Sequence, residues 1–456
     1  MTEKRIPYPK RFRAPMNDQG LFGGRFIGDM LIHCIISFDG QTDENRMAEA
    51  VKLSLDAEPI LGCRFAAEGW RMCWERRTYP YIPGIFSFMK TENIEEESLR
   101  FLLTPSDPCK DPLVQVLLLR SESDRLCIKV SHVVADAGGV KDYAYLLASV
   151  YQNLADHPGY MPEPNLNGSR SMRQVSRQFD FTDKLRILRR TFRDLKSFAK
   201  PGGFSLPLIK GDNCDRTFII RKIHSDLFRS VKDYGRRHSA TINDILLTAV
   251  FRAFFDIIEP DPKIPLRVVT TADLRRFLPA KKAGAICNLS GVFHLQLYRE
   301  PEAAFEHSLS QICEQMNFIK KDFIGLGNHP IFVLPSLLFP PFLGLQLAEQ
   351  MSRLLLRGDS YTPPGFTNMG VIDAKQLIFG GLNVTEAFLT APLVFSPLLL
   401  IGLSGFRDAM TLSAGFCNAG ANKAIVGQLL SRIEQELSAL FVVPPSGGLR
   451  GNGFPA

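Results

Sequence analysis

Apolar positions along the chain fall into two patterns: short stretches that alternate apolar with polar, and longer ones in which apolar residues recur every three or four places. The first predicts half-buried strands and the second amphipathic helices. Residues 26 to 38, with Phe26, Met30, Ile32 and Cys34, read as a strand that stops at Asp39-Gly40. Asp43 then precedes a helix whose face is Met47, Ala50, Val51, Leu53 and Leu55. Strands are expected from Leu61 and, after a less regular middle, over 113–119 and 125–132. The polar Ser121-Glu122-Ser123-Asp124 between the last two makes them an antiparallel hairpin. In the second of this pair Leu126, Ile128 and Val130 share one face, Cys127 and Lys129 the other. It runs through His132, Asp136 and a Gly138-Gly139 turn into a helix with Val140, Tyr143, Leu146, Leu147 and Val150 at helical spacing.

From 157 to 171 Pro, Gly and Asn accumulate, the composition of a linker. Beyond it the pattern of strands, helices and strands returns. A strand over 216–222, helices from Ser225 and over 243–257, and strands over 264–271 and 292–298 are followed by a helix over 302–318. Strands near 366–372, 384–390, 398–404 and 409–416 and a last helix over 423–441 complete the pattern. A chain of 456 residues is too long for one ordinary core. The reading is therefore an N-terminal lobe over 1–165, a linker over 166–213, a C-terminal lobe over 214–443 and a disordered tail over 444–456. Inside the linker, 183–200 carries Leu185, Leu188, Phe192, Leu195 and Phe198 on one face and Lys184, Arg186, Arg189, Arg190, Arg193 and Lys196 elsewhere. Most such basic amphipathic helices lay the apolar face on their own protein, and peripheral membrane contact is the other reading.

Hydrophobic residues make up 45% and charged residues 22%, which is a globular composition. The net charge of +7 suits an anionic partner such as a phosphate-bearing cofactor or a membrane surface. No Lys/Arg tract interleaves with aromatics, so nucleic acid is set aside. Nine cysteines without a Cys-x-x-Cys pair, several of them (Cys34, Cys127, Cys313) inside apolar runs, indicate a reducing, cytoplasmic setting. Residues 1 to 16 lack the apolar core of a signal peptide. The apolar stretches at 331–347 and 391–403 contain prolines and fall short of the roughly 18 to 20 uninterrupted residues of a spanning helix.

Candidate chemistry centres on His132. A strand end is a rigid place from which to aim an imidazole, whose unperturbed pKa of about 6.5 suits a general base. A lone His-x-x-x-Asp is weak evidence, and on the residues alone a structural histidine is an equal reading. Asp136 has two possible jobs, to orient the imidazole or to pair with an arginine and hold the turn. Gly20-Leu21-Phe22-Gly23-Gly24 and Gly380-Gly381 lack the spacing of a phosphate loop, and Ser404 lacks that of a nucleophile elbow. No histidine pair with a carboxylate forms a metal ligand set.

Residues 111–151, with His132 and Asp136, resemble the active-site region of the chloramphenicol-acetyltransferase-like superfamily. That superfamily includes peptide-synthetase condensation domains, BAHD acyltransferases, alcohol acetyltransferases, wax ester synthases and polyketide-associated acyltransferases. Glu58-Pro-Ile-Leu-Gly-Cys-Arg-Phe65, Thr241-Ile-Asn-Asp-Ile-Leu-Leu247 and Thr367-Asn-Met-Gly370 are similar to three further family motifs in the family's order. Ser131 stands where many members have a second histidine, and Ala137 where they usually have glycine.

The resemblance implies an α/β fold of two acetyltransferase-like lobes, each a mixed, largely antiparallel sheet flanked by helices, with an active-site tunnel between them. It implies an acyltransferase in which His132 is the base, Asp136 pairs with an arginine of the other lobe (Arg275 first, Arg276 second), and Ala137, Gly138 and Gly139 shape the turn and tunnel. Asn368 and Ser404 are candidates for the oxyanion or acceptor side. The acyl donor would be acyl-CoA or, second, a carrier-protein pantetheine, acting as co-substrate with no bound cofactor and no metal. The acceptor would be a small molecule or lipid bearing a hydroxyl or amine, and the protein a monomer. Two alternatives stand beside this: a binding or docking module that keeps the fold without the chemistry, favoured by Ala137, and a lipid acyltransferase at the membrane surface.

Overall fold

The hairpin predicted around 121–124 forms the middle of a five-stranded sheet. The structure, a computed structural model, describes residues 8–67, 71–77, 83–198, 203–210, 213–327, 341–357 and 361–441. The sheet runs in the order Val384–Thr390, Leu31–Phe38, Asp124–Ser131, Val114–Arg120, Phe86–Lys90. All neighbours are antiparallel except the last two strands, which are parallel. Period-2 alternation then does what it must. Leu126, Ile128 and Val130 enter one core with Ile32, Cys34 and Ile36, and helices Glu44–Ala57 and Ala137–Asp156 close it with Met47, Val51, Tyr143 and Leu147. The opposite face is buried as well. Cys127 joins Leu117, Leu119 and Phe388 in a cluster that takes in Phe218 from the other lobe. Lys129, also buried, donates to Thr104 O at 2.7 Å and lies over the Phe101 ring, and burial pulls its pKa down to about 8.

The second lobe is a six-stranded mixed sheet in the order Ser290–Leu297, Leu266–Asp273, Gly365–Ile372, Leu400–Phe406, Ala409–Cys417, Arg216–Ile223. Gly365–Ile372 is parallel to both of its neighbours and the other pairs are antiparallel. Val268, Leu295, Leu403 and Leu412 pack there against helices Ile242–Ile258 and Ala419–Ala439. Helix Ile242–Ile258 starts at a complete capping box, in which Thr241 accepts from Asp244 N–H and the Asp244 carboxylate accepts from Thr241 N–H. A small sheet of Arg11–Arg13, Cys73–Arg76 and Cys63–Ala66 flanks the first lobe. The fold is thus α/β with two sheet-rich lobes.

Three findings differ from the sequence reading. The strand expected from 26 starts at Leu31, because 24–26 is a 3-10 turn and Met30 takes a φ of +49° that interrupts extension. Strand Val384–Thr390, which lies in the C-terminal part of the sequence, is the edge strand of the first-lobe sheet, with Phe388 opposite Ile35. The tail over 444–456 lies outside the described residues, as does 331–340 of the apolar run at 331–347, but 341 onward belongs to a helix, Pro341–Leu356. Among the described residues no helix is long and apolar enough to cross a membrane.

Candidate active site

His132 lies one residue beyond strand Asp124–Ser131. Its backbone N–H donates to Met30 O at 2.7 Å, and Met30 is held in the left-handed region, which a non-glycine residue enters only when its surroundings impose it. The chain then folds back so that Ala135 O lies 3.1 Å from His132 Nδ1. A carbonyl can only accept, so Nδ1 carries the proton and Nε2 keeps its lone pair. The residue is half-buried. Its ring lies deep enough that burial pushes the pKa below the ordinary histidine value, an effect partly offset by the Asp136 carboxylate and the Asn288 side chain. The imidazole is therefore neutral at physiological pH.

Asp136 closes the turn and opens the next helix. Its Oδ1 accepts from Gly139 N at 2.8 Å as an N-cap, so the helix begins at Ala137. Gly138 and Gly139, expected as a turn, are in fact the first helical turn. The rest of the carboxylate faces the second lobe. Arg275 forks onto it with Nη2 2.9 Å from Oδ1 and Nη1 3.0 Å from Oδ2, and Leu289 N donates to Oδ2 at 2.6 Å. Burial alone would raise this carboxyl, but Arg275 outweighs it and holds the Asp136 pKa below the ordinary range. Arg275 also donates to Cys287 O at 2.9 Å and Asp273 Oδ1 at 3.2 Å.

The two glycines serve this contact. A Cβ on Gly138 would stand 2.5 Å from Arg275 Nη1, and one on Gly139 would stand 3.0 Å from Cys287 O. Ala137 has an ordinary helical backbone at the first helical position and packs its methyl against the first-lobe core, so its conformation does not call for glycine.

Other residues singled out in the sequence lie elsewhere or are engaged. Arg276 points outward and forms no ion pair among the described residues. Asn368 donates to Asn243 Oδ1 at 3.1 Å and accepts from Gly370 N at 2.9 Å. Ser404 is fully buried, with its hydroxyl against Leu389 N at 3.0 Å and Leu389 O at 3.4 Å, where it stitches the transferred edge strand to the second sheet. The single O–H of Ser404 is thus turned toward Leu389 O. Among the described residues no cluster of three His, Cys, Asp or Glu could hold a metal.

A second polar cluster grips the same turn. Asn288 Nδ2 donates to Val133 O at 2.9 Å and to Asp18 Oδ1 at 3.1 Å. Arg170 Nη2 donates to Asp18 Oδ2 at 2.6 Å and Val134 O at 3.1 Å, and Trp74 Nε1 donates to Asp18 Oδ2 at 2.9 Å. The carbonyls of 133, 134 and 135 are thus each taken by a different side chain. Asn288 Oδ1 is buried and makes no hydrogen bond within normal distance among the described residues. From the helix that follows, Lys141 reaches Met369 O at 3.0 Å in the second lobe.

No protein-family model matches the chain, and no curated protein matches it. Solved structures do. The first condensation domain of the calcium-dependent antibiotic synthetase aligns over 94% of this chain and 96% of its own with TM-score 0.69 and 17% identity. The epimerization domain from the third module of tyrocidine synthetase B aligns over 94% and 95% with TM-score 0.67 and 16% identity. The trichothecene 15-O-acetyltransferase of Fusarium sporotrichioides does so over 94% and 95%, with TM-score 0.67 and 14% identity. This is the chloramphenicol-acetyltransferase-like fold. At such identities the likeness establishes the fold, and a fold shared by a condensation domain, an epimerization domain and an acetyltransferase does not by itself name a reaction.

Sequence reasoning did not find Asp18, Arg170 or Asn288 in this chloramphenicol-acetyltransferase-like structure. Asn288 carried a usable signal, a carboxamide inside the apolar run Ala285-Ile286-Cys287-Leu289. Arg170, in a linker rich in Pro, Gly and Asn, carried none.

Proposed function

We propose that the chain transfers an acyl group from a thioester to a hydroxyl or amine, with His132 as general base. The observation that carries this reading is an imidazole whose Nδ1 lies against Ala135 O, which leaves Nε2 as the basic ring nitrogen, on a turn clamped from both lobes. In the proposed reaction Nε2 takes the acceptor's proton as its oxygen or nitrogen attacks the thioester carbonyl. The tetrahedral intermediate then expels the thiolate, which is protonated by the imidazolium. No acyl-enzyme is required. Coenzyme A is the first choice of donor and a carrier-protein pantetheine the second, with donor and acceptor entering between the lobes from opposite faces. A carboxamide nitrogen has two N–H groups, and Asn368 spends one on Asn243, which leaves one for a developing oxyanion.

His132→Ala should lower acyl transfer by about two to four orders of magnitude and, by leaving Ala135 O short of a donor, cost about 1 to 3 kcal/mol of stability. The assay is release of free thiol from acyl-CoA with a panel of alcohols and amines. Wild-type rates in the variant would refute the assignment. If neither protein turns over any donor and both bind a pantetheine ligand, a binding module replaces the enzyme.

A further inference from the structure

Helix Phe181–Phe198 is mounted against expectation. The apolar stripe that should have docked on the protein faces outward: Phe181 is 76% exposed, Leu185 41%, Leu188 44% and Phe192 59%. The side that meets the protein is largely polar, with Ile187 packed on a small apolar cluster. Arg190 and Thr191 are each only 4% exposed, and Arg190 donates to Ile319 O at 3.1 Å and to Asp322 O, at the carboxyl end of helix Phe305–Lys321. A guanidinium there satisfies terminal carbonyls and complements the helix dipole. Arg193 pairs with Asp322 and Arg186 with Asp183. Lys184 and Arg189, both exposed, are left without an ion pair among the described residues. At 3.6 residues per turn these two cations lie roughly 70° to either side of the stripe's centre, and Arg190 lies opposite it.

We propose that this face docks on an anionic phospholipid surface. A straight stripe of four large apolar side chains with one unpaired cation along each edge is complementary to a plane whose interior is apolar and whose rim is negative. Long Lys and Arg stems would carry their charges up to headgroup level while the stripe enters the acyl boundary. Helix Pro341–Leu356 also exposes Leu343, Leu347 and Met351, with Arg353 in it paired with Glu349. The inference concerns binding and is independent of the acyl-transfer reading.

The test is cosedimentation of the full chain with vesicles of phosphatidylcholine, with and without phosphatidylserine. The protein should bind the anionic vesicles, and binding should fall as salt rises. Lys184→Glu/Arg189→Glu and Leu188→Ser/Phe192→Ser should each lower the bound fraction roughly tenfold or more, with each basic residue at an anionic surface worth about 1 kcal/mol. All four positions are exposed, so melting temperature in solution should hold. In Phe192→Trp the introduced indole should shift its emission to the blue on anionic vesicles only. Equal binding to both vesicle types, no shift from the indole, or capture of an acidic acyl carrier protein by this face with no vesicle binding would each overturn the proposal.

Discussion

Asp136→Asn tests whether the turn that presents His132 is held by charge. The side chain of Asp136 is 6% exposed, and so is that of Arg275. Between them they make a two-pronged ion pair, while the same carboxylate accepts from Gly139 N and Leu289 N. Asparagine keeps one acceptor and can still cap the helix. With Oδ1 kept as the cap, its NH2 then faces both Arg275 Nη1 and the Leu289 N–H, which are donors. Arg275 is left with Cys287 O, with Asp142 at 3.9 Å and with Asp273, and both carboxylates are partly exposed and so compensate incompletely. Breaking one side of a buried pair costs about 3 to 5 kcal/mol. For a unfolding unit of roughly 200 residues that is a fall in melting temperature on the order of 6 to 20 °C. The assay is thermal unfolding of Asp136→Asn, Arg275→Met and the double variant. Coupling on the order of 1 to 3 kcal/mol is expected, and additivity of the two singles would refute the reasoning. The pH dependence gives a second check. Because the folded pKa of Asp136 is depressed, its contribution is complete above the unfolded carboxylate value and is lost as pH falls through the lower folded one. The stability gap between wild type and Asp136→Asn should therefore close on acidification below about pH 4.

Gly138→Ala should act on the same pair, since its Cβ would press on Arg275 Nη1 and move the guanidinium off Asp136; melting loss comparable to that of Arg275→Met is expected, and a variant as stable as wild type would show that the arginine yields freely. The acidic limb of the pH–rate profile should lie below about 6.5, because burial lowers the His132 pKa. Asn288→Ala should move that limb further down, because the Asn288 side chain favours the charged ring, and should cost about 1 to 3 kcal/mol by leaving Val133 O and Asp18 short of a donor. A limb that stays in place would separate Asn288 from His132. Ala137→Gly should change rates with long acyl donors more than with acetyl and lower stability by up to about 1 kcal/mol; equal effects on all donors would remove residue 137 from the acyl path.

Much of the architecture was legible in the order of residues. Alternation set the strands and their inward faces, as with Leu126, Ile128 and Val130, and three-to-four spacing set the helices that cover them. The polar tetrad 121–124 set a hairpin, and Asp136 opens a helix as a short carboxylate can. These are local facts, decided by residues within a few places of one another. The tertiary structure decided what each face meets. Nothing near 384–390 tells that strand to leave the second sheet for the first, because apolar alternation specifies a buried face and not the sheet that buries it. The residues alone left Asp136 two jobs. Its pairing with Arg275 spans 139 positions and depends on how the lobes close over Gly138. Asp18, Arg170 and Asn288 converge on one turn from three distant segments, each unremarkable alone. Helix Phe181–Phe198 makes the same point about orientation. Periodicity shows that a helix has two unlike faces, but the carbonyls of 319 and 322 at a helix end take the arginine side and leave the apolar side to the solvent.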